Sequence, residues 1–196
     1  MPLGANKAAI MGVSGVETIG TTIALLSTQT ASGDSSIVFT SGITSKYREY
    51  IFKLYNINPA SSQLFQVNFS IDGGSNYNVA KTTSFFRAYH YENDSGAGLG
   101  YMTGNDLAQG TGGQPLNDHS GDGSDENTAA ELHLFNPAST TYVKHFYSRS
   151  NNYHTSDISV DAFVGGYANT TSAVNAVQFA PASGDFDGKI KMWGVP

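Results

Sequence analysis

The chain contains no cysteine. Disulfides and thiolate metal sites are therefore excluded, and the fold must be held by its core alone. Charge is scarce as well. Lys and Arg number 10 and Asp and Glu 16 in 196 residues, so charged side chains are 13% of the chain, about half the usual quarter. The net charge of −6 removes the electrostatic case for a nucleic-acid partner, which needs a basic patch or stripe. No apolar run reaches the roughly 18 residues of a spanning helix, so no membrane insertion is expected. Gly12, Ser14, Gly15, Glu17, Thr18 and Gly20 interrupt the opening segment, so no secretory signal is expected either.

Signatures of catalysis are also missing. No G-x-S-x-G elbow and no Walker A loop occurs. His90, His119, His133, His145 and His154 contain no closely spaced pair of the kind that begins a zinc site. Glu is limited to Glu17, Glu49, Glu92, Glu126 and Glu131, and most other acids sit in turns. A glycosidase carboxylate pair can still be assembled from separate strands, so a glycosidase or metal-dependent hydrolase is the third-ranked reading.

What the chain does have is Gly (22 residues), Tyr and Phe (11 each) and abundant Ser, Thr and Asn. Uncharged polar surface with many aromatics suits strands joined by turns. It also suits a protein that packs against copies of itself, where charge is costly to desolvate. Phe65, Val67, Phe69 and Ile71 alternate with Leu64, Gln66, Asn68 and Ser70, the period of a strand with one dry face. Asp72-Gly73-Gly74-Ser75-Asn76 supplies a reversal, and Val79–Tyr91 returns in strand pattern, which predicts an antiparallel hairpin. Further strands are expected at Ile37–Phe39, at Tyr47–Ile57 with Tyr50, Phe52 and Leu54 on one face, and at Ala130–Phe135. Others follow at Tyr142–Ser148 with Val143, His145 and Tyr147 on one side, at Ile158–Val164, at Val174–Phe179 and at Lys189–Val195. Eight or nine short strands predict an all-β sandwich or barrel. The turn Asn58-Pro59-Ala60-Ser61 is echoed by Asn136-Pro137-Ala138-Ser139, without further sign of a duplication.

Two segments stand outside this rhythm. Residues 1–34 read as an N-terminal docking arm ahead of a β-domain at 35–196, because their apolar stretches have no core of their own; a short element tucked on the same domain is the alternative. Residues 96–128 read as a long Gly- and Asp-rich loop, an uncommon length inside a domain. In that loop Asp118, Asp122, Asp125 and Glu126 concentrate hard oxygen atoms, so they are the candidate calcium ligands; a solvated acidic loop is the alternative, and the spacing is not that of an EF-hand. No other cofactor is implied. Tyr89, Tyr91, Tyr101, Tyr153 and Tyr167 lie at strand ends or near loops and are the candidate binding residues. A ring with an apolar face and a polar edge suits sugars or protein contacts, with ordinary strand packing as the alternative.

The closing residues Gly188-Lys189-Ile190-Lys191-Met192-Trp193-Gly194-Val195 resemble the final strand, G-x-I-x-L-Y-G-V/I, of phage tail-fibre and head-appendage β-domains, with Trp193 where that pattern has Tyr. The opening Met1–Gly12 resembles the leader of phage structural genes. The chain thus resembles small virion structural proteins of tailed, marine-type bacteriophages. The resemblance implies a jelly-roll-like antiparallel β-sandwich, often trimeric, mounted on a capsid or tail. Its implied location is the virion, assembled in the host cytoplasm. The implied partners are other copies of the chain, other virion proteins and a host surface glycan. It transfers no catalytic residue. A lectin-like carbohydrate-binding module without a virion role is the second reading.

Overall fold

Period-two alternation becomes extended chain almost everywhere it occurs. A computed structural model describes residues 22–196, and among these it contains twelve strands and no helix. They are β1 (Ala24–Asp34), β2 (Ile37–Phe39), β3 (Glu49–Pro59), β4 (Phe65–Ser70), β5 (Lys81–Tyr91) and β6 (Ala97–Tyr101). The rest are β7 (Gln114–Pro115), β8 (Thr128–Phe135), β9 (Lys144–His154), β10 (Ile158–Ala168), β11 (Ala176–Pro181) and β12 (Phe186–Val195). An eight-stranded sheet runs β1-β12-β3-β8-β9-β10-β5-β6, and a four-stranded sheet runs β2-β11-β4-β7. The pairings are antiparallel, and the two sheets pack as an all-β sandwich.

Phenylalanines from both sheets make the core. Phe39 and Phe179 of the small sheet meet Phe52 of β3 at centroid distances of 5.4 and 5.3 Å. Phe65 meets Phe186 at 4.9 Å and Phe69 meets Phe146 at 5.1 Å, both edge to face. Such pairs add about 0.5–1.5 kcal/mol each beyond the area they bury. Tyr50, Phe52 and Leu54 are all buried, as their alternation predicts. The Tyr50 hydroxyl is satisfied inside the core, donating to the Thr44 carbonyl and accepting from the Thr44 amide.

The expected Leu64–Tyr91 hairpin does not form. β4 pairs with β11 and β7, whereas β5 pairs with β10 and β6 in the other sheet. Ten residues separate Ser70 from Lys81, against about two to five in a hairpin loop. The predicted reversal is present: Asp72 accepts from Ser70 Oγ and from the amide and side chain of Asn76, which holds its carboxyl down at about 2. Gly74 completes it at φ +92°, where an added Cβ would strike Tyr77 and Thr40. The chain then crosses the sandwich. Phe65, Val67 and Phe69 on β4 and Phe85 on β5 point into one core from opposite sides, a pattern identical to that of a hairpin.

The sandwich also begins before residue 35. Ala24–Asp34 is β1, an edge strand laid along β12, with Ala31 buried. The earlier part of the expected arm, residues 1–21, lies outside the described residues. The 96–128 segment is not structureless, since it contributes β6 and β7 and is tied down by fully buried side chains. Asn117 accepts from the Phe65 amide at 2.6 Å and donates to Thr128 Oγ1 at 3.0 Å, and Gln114 donates to the Asn105 and Pro115 carbonyls. Val143, just before β9, and His145 and Tyr147 on it do share a side, but it is the solvent side; Lys144, Phe146, Ser148, Ser150 and Asn152 face inward.

Candidate functional site

The outer face of the eight-stranded sheet carries side chains in cross-strand rows. Register places Phe86 opposite Phe163, Phe163 opposite Arg149, Arg149 opposite Glu131 and Glu131 opposite Lys53. Phe86 and Phe163 stack at 4.8 Å, and the Arg149 guanidinium lies 5.2 Å from the Phe163 ring. Arg149 also donates twice to Asp161, at 3.2 and 2.8 Å, while Lys53 meets Glu131 at 3.0 Å. In the next row His133 stacks on Tyr147 at 4.5 Å, between the carboxylates of Glu49 and Glu131. The hydrogen bond with His133, and then that with Lys53, hold the Glu131 carboxyl below its ordinary range, while Glu131 in turn raises Lys53. Exposed pairs of this kind contribute about 0–1 kcal/mol each, so the row fixes geometry more than stability. Toward β6 the face turns apolar: Leu99 is 74% exposed, Tyr101 54% and Phe86 41%.

A second cluster lies where the 96–128 segment meets the sheet. Asp118 is buried with its carboxylate against the Arg87 guanidinium, and His119 Nδ1 lies 3.3 Å from its Oδ1. Arg87 also covers Tyr89 at 5.0 Å, and the His119 and His154 rings are 6.3 Å apart. Burial first, then Arg87 and His119, lower the pKa of His154. Asp118 therefore neutralises a half-buried cation. The other three candidate calcium ligands do not join it. Asp122 and Asp125 are exposed, and the Glu126 carboxylate turns back to accept from the Gly123 amide at 2.7 Å. Among the described residues no group of three or more His, Asp or Glu side chains is arranged to hold a metal ion.

The candidate tyrosines are scattered. Tyr89 and Tyr91 meet edge to face at 6.1 Å on the inner side of β5. Tyr101 donates to Asp106 at 2.6 Å on the outer face. Tyr153 donates to Asp157 at 3.0 Å, and this bond pushes its pKa up to about 12. Tyr167, near the other end of β10, packs its edge on His145 at 6.0 Å.

That contact borders a cleft at one end of the strands. A concavity of about 720 Å³ is lined by Arg48, Phe135, Asn136, Ser139, Tyr142 and His145, among others. Arg48 and Tyr142 are the residues that sequence reasoning overlooked. The only local signal for them is the Asn136-Pro137-Ala138-Ser139 turn, which forms one wall. No known protein-family model matches this chain, and no curated protein matches it significantly.

Proposed function

We propose that this chain is a non-enzymatic structural protein of a tailed-phage virion. In this reading it is a tail appendage or capsid decoration that docks on the particle and presents a jelly-roll-like β-domain. The phage assignment rests on the resemblance of residues 1–12 and 188–195 to such proteins. The assembly role is supported by one observation, the exposed apolar strip of Leu99, Tyr101 and Phe86 on an open sheet face. Apolar patches on soluble domains mark contacts, and in a chain so poor in charge a second copy is the partner that costs least to desolvate. Copies related by a symmetry axis, a trimer in this reading, would bury that strip.

Light scattering on the purified chain tests it. The expected mass is a multiple of the chain mass, three-fold for a trimer, falling to the chain mass in the double variant Leu99→Asp, Tyr101→Asp with the melting temperature retained. A wild-type chain that stays monomeric at micromolar concentration would sink the assembly role. Failure to incorporate into particles in an infected host would sink the virion role.

A further inference from the structure

We propose that the cleft between the start of β3, the β8–β9 turn and the β10–β11 turn is a binding site for a saccharide bearing a carboxylate. This goes beyond the assembly reading and does not depend on it.

The cleft is built from the backbone outward. Asn136 takes φ +44° and donates its amide to the Arg48 carbonyl, which fixes the turn against β3. Ser139 Oγ then accepts from the amides of Thr141 and Tyr142 at 3.2 and 3.3 Å, and the Tyr142 ring is left 74% exposed at the rim. Behind the cleft, on the inner side of β9, lies Lys144, fully buried. Its ammonium donates to the Tyr142 carbonyl at 2.7 Å and to the Thr170 carbonyl at 3.0 Å. One side chain therefore ties together the two turns that form opposite walls. The Val174 amide, bonded to the Pro137 carbonyl at 2.9 Å, ties them a second time. Walls held this way are pre-organised, so a ligand meets little ordering cost.

The charge of the cleft has one sign. Arg48 is exposed and, among the described residues, forms no ion pair. The Lys144 ammonium, on the inner side of β9, bonds the wall carbonyls from behind and does not line the cleft. Among the described residues no Asp or Glu lines the concavity, although the whole chain carries −6. A guanidinium offers a planar fork that matches a carboxylate. An exposed tyrosine ring beside Phe135 offers an apolar face to a sugar ring, and the hydroxyls of Ser139 and Thr141 offer both donors and acceptors. The volume falls within the roughly 300–1,000 Å³ of small-molecule sites. A bare phosphate would use the arginine and leave the aromatic wall idle, which is why a carboxylate on a sugar fits better.

Titration of the full chain with glucuronate, glucose and inorganic phosphate, followed by amide chemical shifts in NMR, tests the site. Glucuronate is expected to bind, to weaken as salt is raised, and to shift amides of residues 136–142 and 170–171. Glucose, lacking the charge, is expected to bind at least about tenfold more weakly, the scale of one hydrogen bond to a charged group. Arg48→Ala and Arg48→Lys should each lose about that factor, the second because it keeps the charge and loses the fork. Tyr142→Ala should weaken binding several-fold, and His90→Ala, remote from the cleft, should leave it unchanged. Three results would overturn the proposal: no shifts with glucuronate, equal binding of glucose, or phosphate binding as tightly as glucuronate at the same residues. The solution mass of the same samples is a separate readout, so loss of sugar binding and loss of assembly are distinguishable.

Discussion

Lys81 shows what a single residue can impose on this fold. It is fully buried, with its ammonium on Asn68 Oδ1 at 2.6 Å and the Val79 carbonyl at 2.9 Å, and among the described residues no carboxylate joins these contacts. Burial lowers its pKa from 10.5 to about 8. A base with a depressed folded-state pKa binds fewer protons when folded than when unfolded between those two values, so its burial cost is full below pH 8 and relieved as pH rises toward 10.5. Urea unfolding of the wild type and Lys81→Met at a series of pH values should show the wild type gaining about 2 kcal/mol relative to the variant between pH 8 and 10, at ~1.36 kcal/mol per pH unit. A constant gap would mean that the amine titrates normally. The adjacent glycines of β10 give a second test. A Cβ on Gly166 would collide with the Thr82 carbonyl oxygen and with Thr83 across the β5 pairing, whereas Gly165 has nothing within 4 Å. Gly166→Ala should cost about 1–3 kcal/mol, the scale of overpacking, and Gly165→Ala should be close to neutral by the same denaturant measurement.

Among elements, the 96–128 segment departs furthest from its expected character. Four strands cannot span eight, and beside the small sheet this segment runs against the inward-facing side of β9. It does so with amides and hydroxyls in place of a regular ladder. Asn117 supplies the partner that the Phe65 amide would otherwise lack, Ser150 donates to the Leu116 carbonyl at 2.6 Å, and Asn152 donates to the Asp118 carbonyl at 3.1 Å. Asn117→Ala leaves buried groups unpaired and should cost about 1–3 kcal/mol by equilibrium unfolding. An unchanged midpoint would mean that the segment does not depend on that anchor. None of this is visible in hydropathy. Asn, Gln, Ser and Asp are read as solvent-facing until a fold puts them opposite unpaired backbone groups. Strands with apolar alternation were legible for the opposite reason, because Phe65, Val67 and Phe69 leave a single dry face wherever the strand goes.

Taken as a whole, the molecule presents three unlike surfaces: an apolar strip near β6, a charged and aromatic row across β10, β9, β8 and β3, and a cationic cleft at one end of the strands. The solution mass reports on the first and the glucuronate titration on the third. Their residues come from distant parts of the chain. Arg48 and Tyr142 share a cleft because β3 pairs with β8 and the β8–β9 turn folds over the end of β3. The four acids at 118–126 sit close in sequence and still diverge, because Asp118 turns inward to Arg87 while Asp122 and Asp125 stay in solvent. The sequence by itself determined an all-β chain, the faces of most strands and the positions of the tight turns, since alternation and turn chemistry are local properties. Only the tertiary structure decided that β4 and β5 belong to different sheets, that residues 24–34 lie along β12, and which polar groups are buried. Those outcomes depend on which strand edges find each other, and an alternating segment satisfies its dry face equally well in either sheet.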